Sequence, residues 1–190
     1  MKARTLAAIL AAAIMFSATA SRAAEYRIDP AHSFVQFRIS HLGFSWMVGV
    51  FDKISGSFAF DPAAGPGGQK ISVEIDTASI DSGHAERDKH LRSPDFLNVR
   101  KFSRATFVST GYEGDAKGGT MKGNLTLMGV TKPIAIAVKK TGEGNDPWGG
   151  YRTGFEGSVT LSRKAFGAGR SLGPASDTVH FFLSIEGIRK

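Results

Sequence analysis

The sequence has no cysteine. No disulfide can staple the fold, and no thiolate can bind zinc or attack a substrate, so stability must come from a buried core. Tyrosine and tryptophan are scarce, five residues against fourteen phenylalanines. Phenylalanine brings no hydrogen-bonding handle, so a fold lined by it keeps its interior apolar. The same scarcity leaves little from which to build the aromatic girdles of a membrane barrel. A His-Glu-x-x-His pair and a phosphate-binding glycine loop are both absent. Hydrolysis and group transfer therefore have no visible machinery, and the chain is not read as an enzyme.

What is present begins with an export signal. Lys2 and Arg4 give a positive start, and residues 6–16 form an apolar run too short to span a bilayer. Small residues follow, and both Ala18-Thr19-Ala20 and Ser21-Arg22-Ala23 fit a signal-peptidase site. The chain is expected in the periplasm, cleaved after Ala23 or Ala20. Residues 1–23 are thus a signal peptide and 24–190 one domain, long enough to bury a full core unaided. The formal charge of +7 falls to about +4 when Lys2, Arg4 and Arg22 leave. That excess is too mild for nucleic acid and allows at most a weak, transient contact with an anionic membrane surface.

Glycine makes up about 12% of the chain, against an ordinary level near 7%. Much of the remainder alternates apolar and polar residues, the mark of half-buried strands. Val35, Phe37 and Ile39 oppose Gln36, Arg38 and Ser40. Residues 45–60 read as a long strand pair or one bent strand, kinked near Asp52-Lys53 and Gly56. Val73 and Ile75 alternate within 71–76, and Phe107 lies in an extended run over 105–112. Met121, Gly123, Leu125 and Leu127 give the cleanest period of two. A reversal over 129–133 leads into Ile134, Ile136 and Val138. Phe155 and Val159 share a face within 151–161, and Val179, Phe181, Leu183 and Ile185 close the chain. Residues 111–119 read as a turn, 62–68 as a loop and 142–150 as the longest loop.

One stretch breaks the alternation. Asp81, Ser82 and Gly83 offer turn and cap residues, helix formers follow, and Ser93-Pro94 stops the run. Glu86/His90 and Asp88/Arg92 stand four apart and can pair along one side of a short helix. Leu91, Phe96 and Leu97 can grip an apolar platform. The charges read most plainly as a solvated helix face; the other reading is a site for a polar head group. Histidines and carboxylates here also offer metal-ligand spacings, His84/Asp88 and Glu86/His90, but only as pairs. No metal site is assigned, since three or four ligands must converge.

Eight or more antiparallel strands, each with one apolar face, must pack as a sandwich or close as a barrel. Single-domain length, glycine bends and one covering helix favour a barrel. Eight strands leave room for side chains or for one elongated ligand.

Several segments match one known pattern: residues 29–37 (Asp-Pro-Ala-His-Ser-Phe-Val-Gln-Phe), 41–45 (His-Leu-Gly-Phe-Ser), 79–81 continuing to 87–96 (Arg-Asp-Lys-His-Leu-Arg-Ser-Pro-Asp-Phe), and 123–127 with 129–131. In these the chain resembles the YceI-like proteins, a lipocalin-like group described as polyisoprenoid-binding, over about residues 26–188. The resemblance implies an all-β fold, an extended eight-stranded antiparallel lipocalin-like barrel under one short helix, enclosing a tunnel for a long lipid chain. The family commonly has an acidic residue just before Phe-Gly, where this chain has Ala165.

The function expected is a periplasmic carrier or sequestering protein for a long isoprenoid or similar amphiphilic lipid, a quinone included. The lipid is ligand, not cofactor, and no cofactor is expected; a homodimer is compatible. Wall candidates are Val35, Phe37, Ile39, Val73, Ile75, Phe107, Leu125, Leu127, Ile136, Phe155, Val159, Phe181 and Leu183. Head-group or lid candidates are Arg87, Asp88, His90 and Arg92. The alternatives are an outer-membrane or surface-acting barrel without a lumenal lipid, and a His/carboxylate metal-dependent enzyme.

Overall fold

The computed structural model describes residues 23–61, 68–168 and 170–190. The export signal, apart from Ala23, and all but the last residue of the loop read at 62–68 lie outside them.

Alternating segments become strands because each buries one face and leaves the other polar. In chain order these are β1 (Ala24–Ile28), β2 (Phe34–His41), β3 (Ser45–Phe51), β4 (Ile54–Phe60), β5 (Lys70–Asp76), β6 (Ile80–Asp81), β7 (Arg104–Gly114), β8 (Gly118–Leu127), β9 (Val130–Asn145), β10 (Tyr151–Ser162) and β11 (Thr178–Arg189). A helix, α1 (Ala85–Leu91), stands between β6 and β7. All pairings are antiparallel. Eight strands run β1-β4-β5-β7-β8-β9-β10-β11 and return from β11 to β1, so the sheet closes as a barrel.

β2, β3 and β6 lengthen the barrel wall at one end. β11 pairs with β1 through Gly187–Arg189 and with β2 through Val179–Ser184, so β1 and β2 act as two halves of one bent strand. The break between them is held by Ser33: the Glu186 N–H donates to its Oγ (2.9 Å), and its hydroxyl donates to the Glu186 carbonyl (3.3 Å). β3 pairs with β6 only at Val50 and Phe51. Residues 45–49 therefore have no ladder partner on the side away from β2 among the described residues.

The elements differ from the sequence expectations in four places. β1 was not visible in the alternation because it is short and has only Tyr26 and Ile28 to bury. The turn read at 111–119 is confined to 115–117, since β7 extends to Gly114 after a register shift between Ser109 and Gly111. The 142–150 loop shrinks to 146–150, because β9 continues to Asn145 with Gly142 and Gly144 in its ladder. The reversal read at 129–133 is the two-residue turn Met128-Gly129, with φ of 50° and 77°, while Pro133 pairs with Asn124 inside the sheet. Positive φ at both positions matches the right-handed strand twist, and glycine takes it freely.

Closely packed phenylalanines account for part of the glycine excess. Gly49 is the cross-strand partner of Phe37. A Cβ on Gly49 would stand 2.5 Å from Phe37 Cζ and 2.8 Å from the Asp81 carbonyl oxygen. Gly123 makes the same room for Phe107. The rings lie where a side chain would otherwise stand, and the wall stays smooth.

Candidate functional site

A cavity of about 780 Å³ fills the barrel and is lined overwhelmingly by apolar side chains. All thirteen wall candidates stand on it: Val35, Phe37 and Ile39 from β2, Val73 and Ile75 from β5, Phe107 from β7, Leu125 and Leu127 from β8, Ile136 from β9, Phe155 and Val159 from β10, and Phe181 and Leu183 from β11. Phe51, Phe58, Phe60, Met47, Met121 and Ile185 line it too. Phe58 and Phe60 alternate in β4 and Met121 in β8, so the period of two already carried their signal. Phe166, Leu172 and Met128 come from turns and loops, which carry no period.

One end of the cavity is sealed. Tyr26, Ile28 and Thr153 are each about 1% exposed there, and Tyr26 stacks on Phe58 at 5.0 Å between ring centres. Outside this plug, Arg152 reaches three carboxylates, Asp29 (2.6 Å), Asp146 (2.7 Å) and Glu186 (2.5 Å). His32 also contacts Asp29, Nδ1 to Oδ2 at 2.9 Å. The His32 hydrogen bond, with that of Arg152, holds the Asp29 carboxyl far below the ordinary carboxylate range. Ligand atoms of Asp29, His32 and Glu186 lie within 4.8 Å of one another. Arg152 already occupies the two carboxylates, so a divalent cation would have to displace it; the group is a clamp on the sealed end.

The opposite end is polar, and α1 builds it. His84, not Asp81 or Ser82, is the N-cap, its Nδ1 accepting the Arg87 N–H at 3.3 Å. Asp88 is buried, and its Oδ1 accepts the Ser82 N–H (2.9 Å) and the Ser82 hydroxyl. Burial alone would raise the Asp88 carboxyl; these bonds, with the charges of Arg92 and Arg87, outweigh it and hold the group below its ordinary range. Arg87 donates to Ser82 Oγ (2.7 Å) and to its carbonyl (2.6 Å), and Arg92 donates to the carbonyls of Ala78 (2.8 Å) and Ile80 (2.5 Å). Of the four head-group or lid candidates, Arg87 and His90 line the cavity, whereas Asp88 and Arg92 do not. Those two tie the helix to β6 and the turn before it.

The pairings expected along the helix are replaced as well. Glu86 meets Lys89 (3.8 Å), and His90 meets Asp95 (2.9 Å), which also receives Arg170 (3.2 Å) from the β10–β11 connection. The His90 bond, aided by Arg170, holds the Asp95 carboxyl low. The Phe96 ring lies edge-on to His90, with centres 4.9 Å apart, and beneath the Arg163 guanidinium at 5.5 Å. Arg163 donates to the carbonyls of Ser176 (3.1 Å) and Arg170 (3.2 Å). Neither metal-ligand spacing converges: the His84 ring caps the helix, Ser82 holds Asp88, and His90 bonds Asp95. Ala165, where the resemblance leads us to expect an acid, is exposed beside buried Phe166 and does not line the cavity.

The model for the YceI-like domain matches residues 26–187. The chain belongs to the YceI-like family. A UPF0312 protein of Yersinia enterocolitica is 52% identical over 188 residues, covering 98% of this chain and 97% of its own. A UPF0312 protein of Pseudomonas aeruginosa is 52% identical over 189 residues, covering 98% of each. Among solved structures, the Campylobacter jejuni YCEI protein superposes with a TM-score of 0.70 at 31% identity, covering 80% of this chain and 90% of that one. A polyisoprenoid-binding domain from Saccharophagus degradans, implicated in plant cell wall breakdown, shares the fold at a TM-score of 0.63 and 20% identity, covering 87% of this chain and 98% of its own. This YceI-like chain thus has the closed eight-stranded barrel under one helix that its sequence pattern implied.

Proposed function

We propose that this protein carries or sequesters a long isoprenoid or similar amphiphilic lipid, a quinone included, within its barrel in the periplasm. The observation that carries the reading is the cavity: about 780 Å³, apolar along its length, sealed at one end and polar at the other. Small-molecule pockets span about 300–1,000 Å³. An amphiphile fits this polarity, tail inward and head among Arg87, His90, Arg163 and Arg170. The polyisoprenoid-binding domain that shares the fold supports the choice of tail. Burial of one methylene contributes about 0.8 kcal/mol, against an association cost on the order of 4–15 kcal/mol. A chain of about ten carbons barely offsets that cost, and tens of carbons overcome it.

Cleavage after Ala20 or Ala23 leaves every strand intact, because β1 begins at Ala24. The outer face argues against a lipid-embedded barrel: Glu74–Arg104 (3.0 Å) and Glu113–Lys122 (2.5 Å) cross it as ion pairs where an apolar band would be needed. Binding, and not catalysis, suits a wall of methyl, methylene and ring carbons.

Protein purified from a bacterial host is expected to yield, on organic extraction, a lipid whose mass indicates tens of carbons. Stripped protein should keep its β-structure, melt lower and recover when lipid returns, by mass action. Leu127→Arg places a charge in the lumen at a large desolvation cost and should leave the protein destabilised or lipid-free. A wild type that is dry as isolated, with no prenyl lipid raising its melting temperature, overturns the proposal.

A further inference from the structure

Seven large apolar side chains are prominently exposed among the described residues, and four belong to one hairpin: Leu42 (49%), Phe44 (87%), Trp46 (55%) and Val48 (47%). The strand period explains where they point. Met47, Gly49 and Phe51 face inward, so Trp46 and Val48 face out, and Phe44 stands on the turn between β2 and β3. Such rings are not core that failed to pack. Leu42 is held at φ 56°, a conformation that leucine rarely adopts, and its N–H donates to Ser176 Oγ (3.2 Å). The Ser176 hydroxyl in turn donates to the Ser40 carbonyl (2.7 Å), which anchors the hairpin to the β10–β11 connection. Strained backbone fixed by tertiary bonds clusters where a surface has a task.

Residues 34–51 contain no aspartate or glutamate, and the nearest acids flank them: Asp52 follows directly, Asp81 pairs across from Val50, and Asp95 holds Arg170. The Arg38 guanidinium lies over Trp46, 4.7 Å from its centre, and exposed Lys164 and Arg170 stand on the connection to which the hairpin is anchored. Exposed aromatic side chains set among cations are the composition that settles at a lipid–water interface, the rings at head-group depth and the cations on anionic phosphates.

The position is equally specific. His41, Ser45 and Met47 also contribute to the cavity wall, at the polar end where Arg87 and His90 of α1 stand. The unpaired edge of β3 thus borders the end of the cavity that is not plugged. We propose that the β2–β3 hairpin docks this protein on an anionic lipid bilayer with its cavity mouth against the surface. The purpose of docking rests on the carrier reading, since a lipid could then pass between bilayer and barrel without crossing water. A second copy of the chain is the poorer occupant: stable protein interfaces need about 800 Å² from each partner, and a single projecting hairpin tip offers too small a face.

The test uses the full-length gene product as its host processes it, in a Trp148→Phe background so that Trp46 alone reports. Flotation is measured with vesicles of phosphatidylcholine and with vesicles containing added phosphatidylglycerol. The protein should float with the anionic vesicles, less so in high salt, and Trp46 emission should shift to the blue. Phe44→Ser, at the most exposed ring, should lower partitioning about tenfold, since interfacial binding scales with the apolar area inserted. Arg38→Gln with Lys164→Gln should weaken binding to the anionic vesicles alone. All variants should retain the extractable lipid of the parent. Failure to float with either vesicle, or equal flotation of Phe44→Ser, overturns docking while leaving the carrier reading intact. So does a dimer, seen by sedimentation, that Phe44→Ser dissociates without any change in flotation. Flotation by a protein that never contains lipid supports docking and sinks the carrier reading.

Discussion

The Asp88 carboxylate takes two hydrogen bonds from Ser82, one from its backbone N–H and one from its hydroxyl, six residues back along the chain. This pair fixes α1 against the strand before it. Asp88→Ala leaves the Ser82 N–H without its acceptor, and hydrogen bonds to charged groups contribute about 1.5–3 kcal/mol. The variant should lose about 2 kcal/mol in urea unfolding. Because the folded carboxyl is held below its ordinary value, its contribution is complete above about pH 4 and is lost as pH falls through the folded pKa. Wild type and Asp88→Ala should therefore converge in stability at strongly acid pH. An unchanged midpoint at pH 7 would return the helix charges to the status of a solvated face.

Phe37 and Gly49 give a second prediction. Gly49→Ala drives a methyl against the ring edge and the Asp81 carbonyl, neither of which can withdraw freely. Overpacking of this kind costs about 1–3 kcal/mol. Phe37→Leu removes the ring, so the double variant should recover part of the loss; a thermodynamic cycle measures the coupling. Strict additivity would show that the contact is not the reason for glycine there.

The clamp at the sealed end predicts a pH effect in the same direction. Arg152→Ala strands Asp29, Asp146 and Glu186 together, so the lost ion pairs and the mutual repulsion of the carboxylates should lower stability at pH 7. In the wild type, the lowered Asp29 pKa gives stability that is present above about pH 4 and is lost as pH falls through the folded value. The variant has no such bond to lose, and protonation relieves its repulsion. Its deficit should shrink on acidification, as thermal melts from pH 7 to pH 3 would show. A deficit independent of pH would assign the effect to lost packing alone.

The strands and the lumenal wall were legible because burial of one sheet face writes a period of two into the sequence. Leu125 and Leu127 could be assigned to the inward face from that period alone. The mouth was much less legible. Asp88 and Arg92 look like surface charges on a short helix, and only the fold shows that one is buried and the other spent on two carbonyls of the preceding turn. Arg163 and Arg170 stand in an irregular connection with no period to reveal them, and the Asp95 that holds Arg170 lies 75 positions away in the chain. The exposed hairpin was hidden for a related reason: Trp46 reads as an ordinary strand apolar residue until its outward direction is known. Segment ends erred where glycine was taken as a stop, since Gly142 and Gly144 sit within a continuous ladder.

The seam that closes the barrel joins its first and last strands, β1 and β11. Tyr26 pairs with Arg189, and the Lys190 N–H donates to the Glu25 carbonyl at 2.9 Å. Contacts of such long sequence separation place folding among the slow, millisecond-to-second topologies. β1 has no partner on its β11 side until the final strand has been made, so the ring shuts last. Until then the apolar wall belongs to an open sheet with unpaired edges. On the carrier reading proposed above, an amphiphile lying along that sheet when β11 arrives would be enclosed by the closing step itself, and the first loading of the barrel would be a folding event, set by what surrounds the nascent chain.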